Sequence, residues 1–494
     1  MKKYLLQFIL SCIVVSGITQ EKVAAIDPGK NFSTEDHSIG YYNPFENKFR
    51  ITLQNGNVFT RFLYDSNFNL ADSFSFKSKA ISFNYRQNDK YYFLTNIILE
   101  GGNYEIYTNG EKIFFREPDF KERKDKIAYE HTIKQTEDDE RLLAVFPGRN
   151  EIKILSASFD KDKLFLYSWS PSGNIVKSGF DLPESNITDA KQKKEIPKEA
   201  RIKFRNYLTN LSVQPLKQTT PFGRSGATLY YSNDVVYILL PTPYNLGVYL
   251  IRLDLHSNEF KGTNYFVNTL KDNAADNVNF HKSATGILYD TVLIIKNASD
   301  RVYEYYFYTI NTGKQVKKYS SVSYELKDLI HSEMKQKGSW GSANEEKDID
   351  NYKRFVRKGG TGMIFAASVS ADSITITNLA LQATTGIEGA ILDFAVRMPL
   401  AMSGIPSYAT ALIPSLGISR NKIIYAHSRF SIKDWSLSKS TGVTTILDEL
   451  LDERNAETIS GSSSFFIRKD ETWFLGYYSG KSKKIEVYKY DGNK

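Results

Sequence analysis

The side chains with oxygen, nitrogen or aromatic chemistry to offer are spread thinly along this chain, and few are spaced to act together. Asp65-Ser66-Asn67-Phe68-Asn69 and Asp348-Ile349-Asp350-Asn351 set oxygen atoms at alternate positions. A calcium loop needs that alternation, but also a central glycine and a distal bidentate glutamate, and neither stretch has both. Asp and Asn bond readily to nearby backbone N–H groups, so turn chemistry is the better reading of each. His37, His131, His256, His281, His331 and His427 form no His-x-His and no i, i+4 pair. No metal site and no cofactor is therefore expected. Arg357-Lys358-Gly359-Gly360-Thr361-Gly362 resembles a phosphate cradle but lacks the Gly-Lys-Ser/Thr ending. No Gly-x-Ser-x-Gly elbow occurs; Gly223-Arg224-Ser225-Gly226 is a serine-bearing turn.

Two residues remain as candidates. Trp340 is flanked by Gly338-Ser339 and Gly341-Ser342 in a predicted loop. Its ring is suited to stack on a sugar or to anchor a protein partner, and a plain surface fold-back is the alternative. Cys12, the one cysteine, ends Phe8-Ile9-Leu10-Ser11-Cys12, which resembles a bacterial lipobox. Ile13-Val14-Val15 prolong the apolar run past it, which favours an ordinary signal-peptide cysteine. One cysteine excludes a disulfide framework and any Cys-rich metal site.

Lys2 and Lys3 precede an apolar run from Tyr4 to Val15, and small residues follow. Residues 1–25 read as an export signal, with cleavage between 17 and 25. The expected location is periplasmic, cell-surface or extracellular, with a lipoprotein as the variant in which Cys12 is lipidated. The run falls short of the roughly 20 apolar residues a spanning helix needs. The other largely apolar stretch, 385–418, carries Pro399, Pro406 and Pro414, so no transmembrane helix is expected in the mature chain. The net charge of +8 is interspersed over 494 residues, with no concentrated basic stripe. Nucleic acid is not an expected partner.

The elements that must position any site are strands. After a polar leader over 26–48, runs of five to eight residues rich in Tyr, Phe, Ile, Leu and Val alternate with Asn, Asp, Gly and Ser turns. Asn55-Gly56 and Asn109-Gly110 are hairpin signals, because Asn-Gly supplies positive φ. A strand–turn–strand unit recurs at Val58–Ser73, Lys163–Gly179, Gly247–Thr263 and Val302–Tyr319, and more weakly at Ser431–Thr445 and Lys484–Lys494. Trp169, Trp435 and Trp473 fall in predicted strands, where packing is their expected role. Repeats of about 40–50 residues with several strands each are the mark of propeller blades.

The expectation is an all-β chain: a β-propeller of about seven blades over 49–494, with tandem β-sandwiches as the alternative. Blade segments fall near 49–80, 90–120, 140–182, 200–267, 283–320, 360–385, 420–450 and 463–492. Charged insertions are expected near 119–141 and 184–205, a short helical insertion near 326–358, and an apolar one near 385–418. In cadence the chain resembles secreted bacterial β-propeller repeat proteins, without Gly-His, Trp-Asp or kelch signatures. The lack of a catalytic motif on a scaffold with many loops leads to the expectation of an exported, non-catalytic protein that binds a polymer or a protein partner through loops on one face. A glycan-acting hydrolase, with carboxylates converging from several blades, is the alternative class. A lipid-anchored surface component held by Cys12 is the third.

Overall fold

The computed structural model describes residues 21–33, 36–83, 91–133, 140–158, 163–181, 211–216, 222–224, 227–241, 247–255, 260–266, 283–299, 302–322, 329, 335–337, 347–348, 363–369, 372–382, 422–438, 463–470 and 472–491. Strand β1 (Glu21–Ile26) comes first. Blade I is the meander β2 (His37–Asn43), β3 (Lys48–Asn55), β4 (Val58–Tyr64) and β5 (Leu70–Lys77). Blade II holds β6 (Ile81–Ser82), β7 (Tyr91–Leu99), β8 (Gly102–Thr108), β9 (Lys112–Asp119) and β10 (Lys124–Thr132). Blade III is β11 (Glu140–Pro147), β12 (Ile152–Ser158), β13 (Lys163–Trp169) and β14 (Ile175–Asp181).

Blade IV begins with β15 (Ser212–Pro215), while β16 (Phe222–Arg224) leaves it to pair elsewhere. It continues with β17 (Thr228–Tyr231), β18 (Val235–Pro241), β19 (Gly247–Asp254) and β20 (Phe260–Phe266). Blade V is β21 (Ser283–Leu288), β22 (Thr291–Ser299), β23 (Val302–Thr309) and β24 (Gln315–Val322). Blade VI contains β25 (Lys335–Lys337), β26 (Lys347–Asp348), β27 (Met363–Val369), β28 (Ser373–Gln382) and β29 (Lys422–Ser431). Strand β16 lies between β21 and β27 and joins blades V and VI into one ten-stranded sheet. Blade VII is β30 (Ser464–Lys469), β31 (Thr472–Ser479) and β32 (Lys484–Asp491), completed by β1 on the outside of β32.

Small antiparallel sheets following one another along a chain and covering each other's faces are propeller blades. The chain is all-β and of β-propeller type, with seven blades among the described residues. They fall into two compact units, residues 1–78 with 459–494 and residues 79–458. In the first unit, blades VII and I share a core in which Phe49 stacks on Phe68 at 4.1 Å and Phe474 packs against both at 4.9 Å, edge-on to Phe49. Phe465 lies flat over Gly40 and Gly476, where an added Cβ would come within 2.6 and 2.2 Å of its ring. In the second unit each seam between consecutive blades has its own core. Trp169 and Phe115 meet at II/III, Leu164 and Ile251 at III/IV, Leu239 and Ile294 at IV/V, and Phe307 and Phe430 at V/VI.

Several sequence expectations change here. Glu21–Ile26 and His37–Asn43, read as signal end and leader, are strands; the register Glu21↔Lys489 to Ile26↔Ile485 gives β1 its ladder. The charged stretch 119–141 is not a loop insertion, because Lys124–Thr132 forms β10, the outer strand of blade II. An outer strand has solvent at one edge, so charge does not forbid it there, and Lys112–Glu130 (3.0 Å) and Lys126–Asp119 ion pairs decorate its ladder. No helix occurs among the described residues. Within 326–358, Lys335–Lys337 is a strand whose backbone pairs with Ile423–Tyr425 of β29. Segments 360–385 and 420–450, drawn as two blades, contribute β27, β28 and β29 to one. Residues 184–205 and 385–418 lie outside the described residues. Trp169 and Trp473 are buried in strands, whereas Trp435 sits in the turn after β29 with φ +56° and still reaches the V/VI core.

Candidate functional site

Both candidates from the sequence, Trp340 and Cys12, lie outside the described residues. The Asp65 stretch is the turn between β4 and β5. Asp65 Oδ1 accepts the N–H groups of Asn67 and Asn69 at 2.9 and 2.8 Å, and Oδ2 accepts Asn69 Nδ2 at 2.9 Å. Those bonds hold the carboxyl below its ordinary range and occupy it with the turn itself. Among the described residues no group of three or more His, Cys, Asp or Glu side chains is placed to hold a metal ion.

Sequence reasoning missed four buried carboxylates: Glu105, Glu140, Glu304 and Glu486. Glu304 of β23 accepts the Tyr306 hydroxyl at 2.6 Å, Ser320 Oγ at 3.2 Å and Lys318 Nζ at 3.1 Å. Glu140 opens β11 and accepts Ser156 Oγ at 2.9 Å, the Tyr167 hydroxyl at 2.6 Å and Lys177 Nζ at 2.6 Å. Glu486 of β32 accepts the Tyr488 hydroxyl at 2.7 Å and pairs with Lys22 of β1. Burial alone would raise the Glu486 pKa, but the bonds from Lys22, Tyr488 and Ser482 lower it on balance. Glu105 accepts the Tyr107 hydroxyl at 2.9 Å.

In blades III, V and VII the tyrosine on the third strand lies directly opposite a lysine on the outer strand: Tyr167↔Lys177, Tyr306↔Lys318 and Tyr488↔Lys22. Lys177 and Lys318 also stand over the tyrosine rings at 5.0 and 4.8 Å. Burial first, then donation to the glutamate, pushes the Tyr167 and Tyr306 hydroxyls far above their ordinary range. In each of these blades the carboxylate is met by donors from its own sheet. The signal that could have found three of the glutamates is a repeated Glu-x-Tyr: Glu105-Ile106-Tyr107, Glu304-Tyr305-Tyr306 and Glu486-Val487-Tyr488.

The outward-facing candidate is the end of the first unit where the β2–β3, β4–β5 and β30–β31 turns emerge. Tyr42, Phe49, Tyr64 and Leu70 form one register row across blade I beneath it. The β2–β3 turn is locked. Asn43 Oδ1 accepts the N–H groups of Phe45 and Glu46 at 2.9 and 3.2 Å, and Pro44 fixes its own φ. Arg50 Nη2 grips both Glu46 oxygens at 2.7 and 2.9 Å. Asn47 adopts φ +54° and accepts the Tyr42 hydroxyl at 2.7 Å. Lys469, the last residue of β30, stands 5.3 Å over the Tyr42 ring. At the tip Phe45 is 59% exposed, and Leu70, at the start of β5, is 55% exposed. Nothing in the sequence spacing of Phe45 sets it apart from the other phenylalanines.

The chain matches no family model and no curated protein. Among solved structures, the Dos1 propeller is similar at a TM-score of 0.37 and 10% identity, over 96% of each chain. Sqt1 of Saccharomyces cerevisiae gives 0.30 and 8%, covering 96% of this chain and 99% of that one. An oligogalacturonate lyase solved with manganese gives 0.34 and 6%, covering 96% and 98%. The propeller type rests on the chain's own sheet order and seam cores.

Proposed function

We propose that this protein is an exported, non-catalytic binding scaffold that engages a protein partner through turns at the blade ends, with Phe45 as an anchor. The observation that carries this reading is the locked Asn43–Asn47 turn holding an exposed phenyl ring at its tip. An aromatic side chain that is already ordered adds contact area at low entropic cost when it enters a partner's pocket. The acceptors beside Phe45 are already engaged: Asn43 and Asn47 by the turn and Tyr42, Glu46 by Arg50. Burial of the ring, rather than new hydrogen bonds to sugar hydroxyls, is the gain this surface offers. That favours a protein over a carbohydrate polymer.

The test is affinity capture from the source envelope with the native chain and with Phe45→Ala. A partner retained by the native chain and lost by the variant, at equal thermal stability, supports the reading. Capture unaffected by Phe45→Ala removes Phe45 as the anchor. An upward thermal shift with an oligosaccharide, preserved in the variant, moves the function to a glycan site elsewhere. Export rests on Lys2, Lys3 and the Tyr4–Val15 run. Because β1 begins at Glu21, the mature terminus should lie at or before that residue, which intact-mass measurement reads directly. If Cys12 is lipidated, Cys12→Ser should release the protein from membranes.

A further inference from the structure

Five outer strands have described side chains: β1, β5, β10, β14 and β24. Four of them carry a bulge, where the ladder skips Val23, Ala71, Ala128 and Val316 in turn. Bulges twist a sheet edge away from further pairing, and charged side chains along the edge add to the protection. The same four strands bear Glu21 and Lys22, Asp72 and Lys77, Lys124, Asp125, Lys126 and Glu130, and Lys317 and Lys318. Strand β14 has no bulge, and its two charges are Lys177, turned to its own Glu140, and Asp181 at its far end. Its ladder with β13 runs unbroken over seven pairs, from Lys163↔Asp181 to Trp169↔Ile175. Among the described residues its other edge pairs with nothing. Ile175 and Val176 stand on it 41% and 61% exposed.

We propose that β14 is a self-association edge, at which two copies of this chain pair strand to strand and antiparallel. Three observations select a second copy as the occupant. First, the only charged side chain on 175–180 is Lys177, and its ammonium is held by its own Glu140 at 2.6 Å. Two β14 edges therefore meet over Ile175–Lys177 without like-charge repulsion. Second, the bulges make those other edges poor complements for a flat ladder, so the regular edge fits best against itself. Such a pairing is isologous and closes after two copies. Third, an antiparallel two-fold at Val176 pairs residues 175–177 of the two copies, leaving Asp181 outside the ladder; it sets Val176 opposite Val176 and Ile175 opposite the Lys177 stem, and β-branched pairs of this kind stabilise a ladder.

The experiment is sedimentation velocity on the full chain, from low micromolar to its highest soluble concentration. Native protein should move from monomer to dimer with concentration. Val176→Lys and, separately, Ile175→Lys should weaken association roughly tenfold or more, because each places like charges close across the two-fold. Val176→Thr should retain it. Both lysine positions are exposed, and an unchanged melting curve confirms that the variants fold. A monomer at every concentration overturns the proposal, including the case in which β14 accepts a strand from a different protein. A dimer unmoved by both lysine variants overturns it too.

Discussion

Blades III and V place a buried carboxylate in the same surroundings by different routes. In blade V the glutamate and tyrosine come from one strand, Glu304 and Tyr306 of β23, two residues apart on one face. In blade III Glu140 comes from β11 and reaches across β12 to Tyr167 of β13, passing Ser156 on the way. What the two blades share is the receiving pair, a tyrosine on the third strand facing a lysine on the fourth. The origin of the acid is free and the pair that receives it is fixed. A buried carboxylate costs several kcal/mol in desolvation unless its partners are complete, so these networks constrain register more than they add stability.

The comparison breaks most sharply if the acids are removed. Glu140→Ala and Glu304→Ala each strand a lysine and a tyrosine hydroxyl in their blade, and each should cost about 3–5 kcal/mol in denaturant unfolding. A large loss in one blade and none in the other would show that the two routes are not equivalent. Tyr167→Phe and Tyr306→Phe should each cost about 1–3 kcal/mol, the scale of a lost bond to a charged group, and by similar amounts in both blades.

A smaller difference should appear with pH, because, among the described residues, the blade III network alone meets a histidine, His131 of β10 in blade II. The His131 ring lies 4.7 Å from that of Tyr167 and also stacks on Tyr129, and its buried Nε2 finds no hydrogen-bond partner among the described residues. Burial lowers its pKa; Glu140 opposes that shift and Lys177 adds to it. The folded value lies below the unfolded value of about 6.5. The resulting stability is therefore complete above about pH 6.5 and is lost as the pH falls toward the folded value. Melting temperatures between pH 7.5 and pH 5 should decline less steeply in His131→Phe than in the native chain. The smallest effect should be Lys22→Ala in blade VII, about 1 kcal/mol or less, because Lys22 is 43% exposed.

The outer hairpins of the blades were legible in the sequence. Val58–Ser73, Lys163–Gly179, Gly247–Thr263 and Val302–Tyr319 each span the last two strands of a blade, where alternation is clean and the turn residues are strong. Asn55-Gly56 and Asn109-Gly110 were legible too, and both glycines have positive φ. Strand β10 was not, because an edge strand can be charged at nearly every position and so lacks the apolar period that marks a strand. The glutamates were hidden for a related reason. A Glu within a strand reads as its solvent face, and only the lysine one strand further out reverses that reading. Phe45 was hidden because its importance lies in the bonds that hold its turn, not in its own spacing.

Strand β1 gives the chain an order of assembly that differs from its order of synthesis. Lys22 meets Glu486 across 464 positions of sequence, so a strand made early waits for one made much later. Until β32 exists, β1 has no ladder, and until β1 docks, β32 carries an open edge and Glu486 lacks its cation. Blade VII thus works as a clasp fastened only once β32 has been made, and removal of either β1 or β32 should leave it undone.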